Sequence, residues 1–419
     1  MSADARRAGL LVLLASFVGH AGNYLYYVVA ARMVSPVEFA AISALISLGT
    51  ITWMPINGIQ MAIARNVAAL GTSATGGELS AYLRQTGRRM VLVCLGIAAV
   101  IAGLSPLLAD RLHFASAHPL VLAAVWVGST SMLIVVTGMV QGMERFGYLA
   151  FAYAGPLGAL RTLLLPLCVL AAGMAGSMWA MILATVIGLA VMMPPIVRAV
   201  KVAPTTAPAV PSTLVTMVGL LAFSSLTNVD VLVGQAALDE AHRVQYAGAV
   251  LLGKIALFAP QALALVLLPR VTAALERGEA VDRSVLNTLA LTFAAGAAVA
   301  AALWVMPTSL ITLTFGPGYE GSKALMPAIA LVMTGAAVLW VHLTFAIARR
   351  SGRWIAGLVV VAVAHWGLLA VLHDSPWHIV LASGIAVAAA LLVIEAGSRG
   401  GVVRMVLNSR KGVPERTGS

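Results

Sequence analysis

The chain has 419 residues, of which 61% are hydrophobic and 10% charged. Soluble domains carry about 25% charged residues, so this composition excludes water as the main solvent and points to lipid. A net charge of +11 would suggest nucleic acid in a soluble protein. Here the Lys and Arg sit mostly in short loops, where they set topology and attract anionic headgroups, and no nucleic-acid partner is expected.

Arg6 and Arg7 precede an apolar run from Leu10 to Ala31. That run exceeds the roughly 7–15 residues of a signal-peptide core, so it reads as an uncleaved first span. Further runs follow at 37–61, 90–110, 119–141, 147–172 and 177–199, then at 213–237, 244–268, 285–313, 322–347, 354–373 and 376–397. Each can cross about 30 Å of hydrocarbon at 1.5 Å per residue, which predicts an all-α polytopic membrane protein of twelve spans. The Pro-rich stretch between the two blocks of six divides the chain. Residues 1–200 form an N-terminal six-helix lobe, 201–212 a cytoplasmic linker, 213–398 a C-terminal six-helix lobe and 399–419 a basic cytoplasmic tail. Cys94 and Cys168 lie in apolar runs, so neither a disulfide framework nor a metal site is expected. His20, His342 and His365 lack metal-ligand spacing and read as packing groups, and nothing calls for a cofactor.

With the N-terminus inside, twenty of the 26 Lys and Arg fall in cytoplasmic segments. Only Arg32, Arg111, Arg243 and Lys323 fall outside, while Arg161 and Lys254 lie within spans. This bias puts both termini in the cytoplasm, and the expected location is the inner (plasma) membrane. No outer loop is long enough to fold as a domain, and nothing signals obligate oligomerisation, so a monomer is expected.

The blocks read as copies of one another. Asn23 and Asn228 are 205 positions apart, as are Arg65 and Arg270, while Pro106 and Phe114 match Pro307 and Phe315 at an offset of 201. Transporter folds are often built from such repeats, and two even-numbered copies imply an axis along the membrane normal with a central cavity.

The polar residues inside the spans are the candidate site. An intramembrane charge costs about 2.5–3.5 kcal/mol on insertion scales and normally faces a partner or a watery cavity. By helix rise, Asn23, Arg161, Asp230 and Lys254 all fall about 12–16 Å from the outer ends of their spans. Together with Asn228 they can bind substrate or a coupling ion. Each of these residues could instead serve the structure. Asp230 and Lys254 could pair as a structural lock; Arg161, between Pro156 and Pro166, could satisfy freed carbonyls; and the two asparagines could be interhelical glue. Arg65 and Arg270 sit at the cytoplasmic rim as topology anchors or as guides for a lipid diphosphate. Pro55, Pro156, Pro166, Pro260 and Pro327 fall inside spans, and Pro260, six residues past Lys254, is the candidate hinge.

Several stretches in order resemble polysaccharide exporters of the multidrug/oligosaccharidyl-lipid/polysaccharide (MOP) superfamily. They are NYLYYVVAARMVSPVEFAAISAL, QGMERFGYLA, NVDVLVG, YAGAVLLGKIALFAPQALALVLLPR and FGPGYEGSKALMPAIAL. The resemblance implies a two-lobed flippase of lipid-linked sugars, working by alternating access from the inner to the outer leaflet. Its partners would be the lipid-linked sugar, membrane lipids and a proton or cation as coupling ion. The same superfamily includes drug/cation antiporters, which is the alternative reading. A membrane glycosyltransferase or polysaccharide polymerase is a third. Such chemistry needs positioned acids, bases or a metal, and Asp239, Glu240 and Asp374 in the short outer loops have no evident catalytic partners, so no enzyme is expected.

Overall fold

A computed structural model of the chain describes residues 3–71, 76–205, 213–257, 282–348 and 352–397. Pro260 and Arg270 lie outside these residues. Among the described residues the chain is helical with no strand, and it divides into two compact units, Met1–Leu220 and Leu221–Ser419.

In the first unit, α1 spans Ala3–Met33. Ser35 then caps α2 (Pro36–Trp53): its hydroxyl accepts from the Glu38 N–H while the Glu38 carboxylate accepts from the Ser35 N–H, with Pro36 in the first turn. The predicted second span does not run through unbroken. Pro55 has no N–H to give the preceding turn, so the helix stops at Met54. It restarts as α3 (Ile56–Gly71), with the Asn57 side chain donating to the Met54 carbonyl at 3.0 Å.

Helix α4 (Gly76–Arg111) continues through Pro106. The carbonyl that Pro106 leaves unpaired is that of Ala102, four residues earlier. The Ser105 hydroxyl donates to that oxygen at 2.7 Å and keeps the helix intact. Leu92, Leu95, Val100, Leu104 and Leu107 are exposed along α4 at helical spacing, a surface suited to lipid. Helix α5 (His118–Gly142) is buried along most of its length, and its Leu133, Val136 and Met139 pack with Ile63, Val67 and Met192.

Helix α6 (Phe146–Ala154) leads through a π-helical turn, Gly155–Ala159, into α7 (Leu160–Ala199). A straight rod from 146 to 199 would measure about 80 Å, far beyond a bilayer. The break is at Ala172 and Gly173, the latter at φ 55°. Gly176 is brought back so closely that a Cβ there would sit 2.0 Å from the Cys168 carbonyl oxygen. In a straight helix those residues would be about 12 Å apart along the axis, so the chain reverses here and makes two spans.

In the second unit, α8 (Leu214–Ala237) ends before Asp239, which caps α9 (Glu240–Gly253). The first two turns of α8 belong to the first unit, where Thr216 and Met217 pack on Gly58. Helix α10 (Asp282–Val305) stops at Pro307, and α11 (Thr308–Phe315) follows, which splits the predicted ninth span. The residue before Pro307 is Met306, which has no hydroxyl to offer the freed carbonyl. A 3₁₀ turn (Glu320–Ala324) leads to α12 (Met326–Ala348), then α13 (Gly352–Val371) and α14 (Pro376–Gly397). Pro327 lies in the first turn of α12 and not in a span interior, where its missing N–H costs nothing. Val285 and Leu289 of α10 pack with Val341 and Phe345 of α12.

Nine helical stretches among the described residues are long and apolar enough to cross a membrane, one of them being the reversed pair from 146 to 199.

Candidate functional site

In the first unit, α1 meets the π turn without side chains between them. A Cβ at Gly22 would lie 2.7 Å from the Ala159 nitrogen, and one at Gly158 2.6 Å from the Gly19 Cα. The Thr162 hydroxyl donates to the Gly22 carbonyl at 2.8 Å and fixes the register. This seam carries Asn23 on α1 and Arg161 on α7. The Arg161 guanidinium stacks over the Tyr26 ring, 5.8 Å from its centroid, and donates to the Leu157 carbonyl of the π turn. Tyr26 is fully buried and held by a 2.9 Å bond from its hydroxyl to the Ser177 carbonyl. The Arg161 Nε is buried with no partner, and no carboxylate pairs with the side chain among the described residues. The carbonyl it bonds is not one freed by a proline, since Pro156 and Pro166 leave those of Ala152 and Thr162, and the contact uses only part of the fork.

Arg65 is exposed on α3, and Asn66 beside it donates to the Tyr82 hydroxyl at 3.2 Å. Gln60 of α3 donates to Gln141 of α5 at 3.3 Å and is also hydrogen-bonded to Tyr153 of α6.

In the second unit, Asn228, Asp230 and Lys254 come together, with a pairing other than the structural lock. Lys254 Nζ donates to Asn228 Oδ1 at 2.9 Å. The Asn228 amide donates in turn to the Ser224 carbonyl at 2.9 Å and the Thr227 hydroxyl at 3.1 Å. Asp230, 1% exposed, accepts from the Tyr246 hydroxyl at 2.8 Å. Its other oxygen is buried without a hydrogen-bond partner. Asp230 and Lys254 thus form no ion pair, although the carboxylate acts electrostatically on both Lys254 and His365. Two positions along a helix are about 200° apart around it, so Asn228 and Asp230 present different faces and take different partners.

His365 does more than pack. Its Nε2 lies 3.3 Å from the Ser383 hydroxyl and its Nδ1 is buried with no partner, while the next residue, Trp366, donates to Ser225 Oγ at 2.9 Å. Sequence reasoning missed Tyr26 and Tyr246 and read His365 as a packing group alone. Tyr26 is one turn from Asn23 and Tyr246 two turns from Lys254, a same-face spacing that would have flagged both.

Among the described residues no group of His, Cys, Asp and Glu could hold a metal ion. No protein-family model and no curated protein sequence matches the chain. Solved structures do. An inward-facing multidrug resistance MATE family transporter of the MOP superfamily aligns at TM-score 0.67 and 13% identity, over 95% of this chain and 100% of that one. The lipid II flippase MurJ, in an inward closed conformation, aligns at 0.66 and 13%, over 96% and 90%. A MOP superfamily transporter from Pyrococcus furiosus with a binding pocket of reverse polarity aligns at 0.64 and 13%, over 98% and 96%. The chain has the fold of MOP superfamily transporters and is a multi-pass membrane protein.

Proposed function

We propose that this protein is a flippase that moves a lipid-linked oligosaccharide or polysaccharide precursor from the inner to the outer leaflet by alternating access. The observation that carries the reading is Arg161, a guanidinium deep in a membrane helix with no carboxylate to balance it among the described residues. Lys254 also donates to a neutral amide, but Asp230 in the same cluster acts on its charge. A fixed cation left uncompensated in a bilayer favours an anionic cargo, which a lipid diphosphate or acidic sugar supplies, and disfavours the cationic drugs of an antiporter. Neutral groups within each unit, Asn23 in the first and Asn228 and Tyr246 in the second, suit sugar hydroxyls. Asp230, with one oxygen open, is the place for a coupling proton or cation.

Depleting the protein from its host should lower surface glycan and accumulate the lipid-linked precursor, with dye resistance unchanged. Dye sensitivity with normal glycan would instead support the antiporter. Direction is tested by single cysteines in a Cys-free background. Those at Ser116 and Gly318 should react with an impermeant thiol reagent in intact cells, and those at Thr75 and Thr206 should not. The reverse pattern would overturn export.

A further inference from the structure

Within the flippase reading, the depth of Arg161 decides which part of the substrate meets it. Arg161 is sixteen residues beyond Arg145 and twelve short of Gly173. At 1.5 Å per residue it lies about 24 Å from one helix end and about 18 Å from the other. The carrier's chain stays in hydrocarbon, so its diphosphate rests at headgroup level, about 15 Å from the midplane of a 30 Å core. A group near the middle of the span is reached from there by the glycan.

The groups along the first unit are ordered accordingly. Gln60 and Gln141, at the predicted inner ends of spans two and four, hydrogen-bond to each other, and Gln60 also bonds Tyr153, two turns before Arg161. These amides and the phenol are neutral donors and acceptors, which match sugar hydroxyls. Beyond them the chemistry changes. Arg161 has one face on Tyr26, one N–H on Leu157 and a buried Nε–H with no acceptor. A neutral hydroxyl would leave that cation uncompensated, whereas a carboxylate fits the planar fork.

We infer that Arg161 recognises the carboxylate of an acidic sugar placed away from the diphosphate, and that neutral sugars precede it along the glycan. The test uses the full chain in proteoliposomes with three synthetic polyprenyl-diphosphate trisaccharides. They differ only in the distal sugar: glucuronic acid, its methyl ester, or glucose. Flipping is read by an impermeant reagent.

The acid should move about tenfold faster than ester or glucose, the scale of a charge-assisted hydrogen bond. Arg161→Gln should bring the acid down to the rate of the ester, and Arg161→Lys should keep part of the preference. Equal wild-type rates on acid and ester, or an acid preference that survives Arg161→Gln, would overturn the inference and leave the flippase reading intact. If the glutamine variant does not fold, the wild-type comparison of acid with ester decides. Failure to move any of the three, in a preparation that moves cationic dyes, would overturn the flippase reading and this inference with it.

Discussion

The two units solve one problem, a polar group inside a membrane helix, in opposite ways. In the first unit Arg161 is held by an aromatic face and a backbone carbonyl, so its charge stays uncompensated. In the second, Lys254 and Asp230 are each tied to a neutral side chain, and the charges balance within one cluster without touching. A cation fixed by backbone and aromatic ring keeps its orientation when no ligand is present. A cluster of side-chain bonds can exchange partners. The first arrangement suits recognition and the second suits switching.

The largest effect is expected at the seam that holds Arg161. Gly158→Leu puts a branched side chain where a Cβ alone would sit 2.6 Å from the Gly19 Cα, backbone that cannot step aside. The expected outcome is loss of folded protein from the membrane, measured as abundance and detergent-stable monodispersity. Normal abundance would mean that the π turn is not pressed against α1.

A smaller effect sharpens the description of the second unit. Tyr246→Phe removes the donor to Asp230 and should lower stability by about 1.5–3 kcal/mol, the range for a hydrogen bond to a charged group. Asp230→Asn combined with Lys254→Gln should fold and should transport no better than the weaker single variant, because each residue has its own partner. Recovery of activity in the double variant would restore the structural-lock model.

The twelve apolar runs could be read from the sequence because lipid-facing and core-facing helix surfaces are both apolar, and insertion sets their length. The partners of Lys254 and Asp230 could not be read. Rise along the helix gave similar depths, while pairing depends on rotation about it, and Asn228 and Asp230 face different ways. The breaks were half visible. Pro55, Pro106 and Pro307 are equal as prolines, but one helix continues because Ser105 precedes its proline, and another ends where Met306 does. The π turn at Gly155–Ala159 left no sequence signal beyond Gly155 and Pro156 themselves.

That contrast between α4 and α10 gives the next prediction. Ser105→Ala should cost about 1 kcal/mol by leaving the Ala102 carbonyl unpaired in the span. It should also raise hydrogen exchange at the C-terminal end of α4. Met306→Ser should slow exchange between Ala302 and Leu310 by supplying the missing donor. An unchanged profile in both would show that the hydroxyl does not decide whether the helix continues.

The smallest expected effect lies at the entry to the second span of each unit. Ser35 caps α2 with a hydroxyl, and replacing it with Ala should cost about 1 kcal/mol. Asp239 caps α9 with a carboxylate. One oxygen accepts from the His242 N–H at 2.9 Å and the other lies 2.7 Å from His242 Nδ1. The His242 backbone bond first, then its ring, hold the Asp239 carboxyl below its ordinary value. A carboxylate whose folded-state pKa is depressed stabilises the fold above its unfolded value, near pH 4, and loses that contribution as pH falls through the folded value. Asp239→Asn keeps a side-chain oxygen for the cap and removes the titration. Wild type should therefore lose melting temperature relative to Asp239→Asn only below about pH 4. The gap should shrink with salt, since the site is open to water. A gap that opens well above pH 4 would show that the cap carboxylate is not the source of the acid dependence.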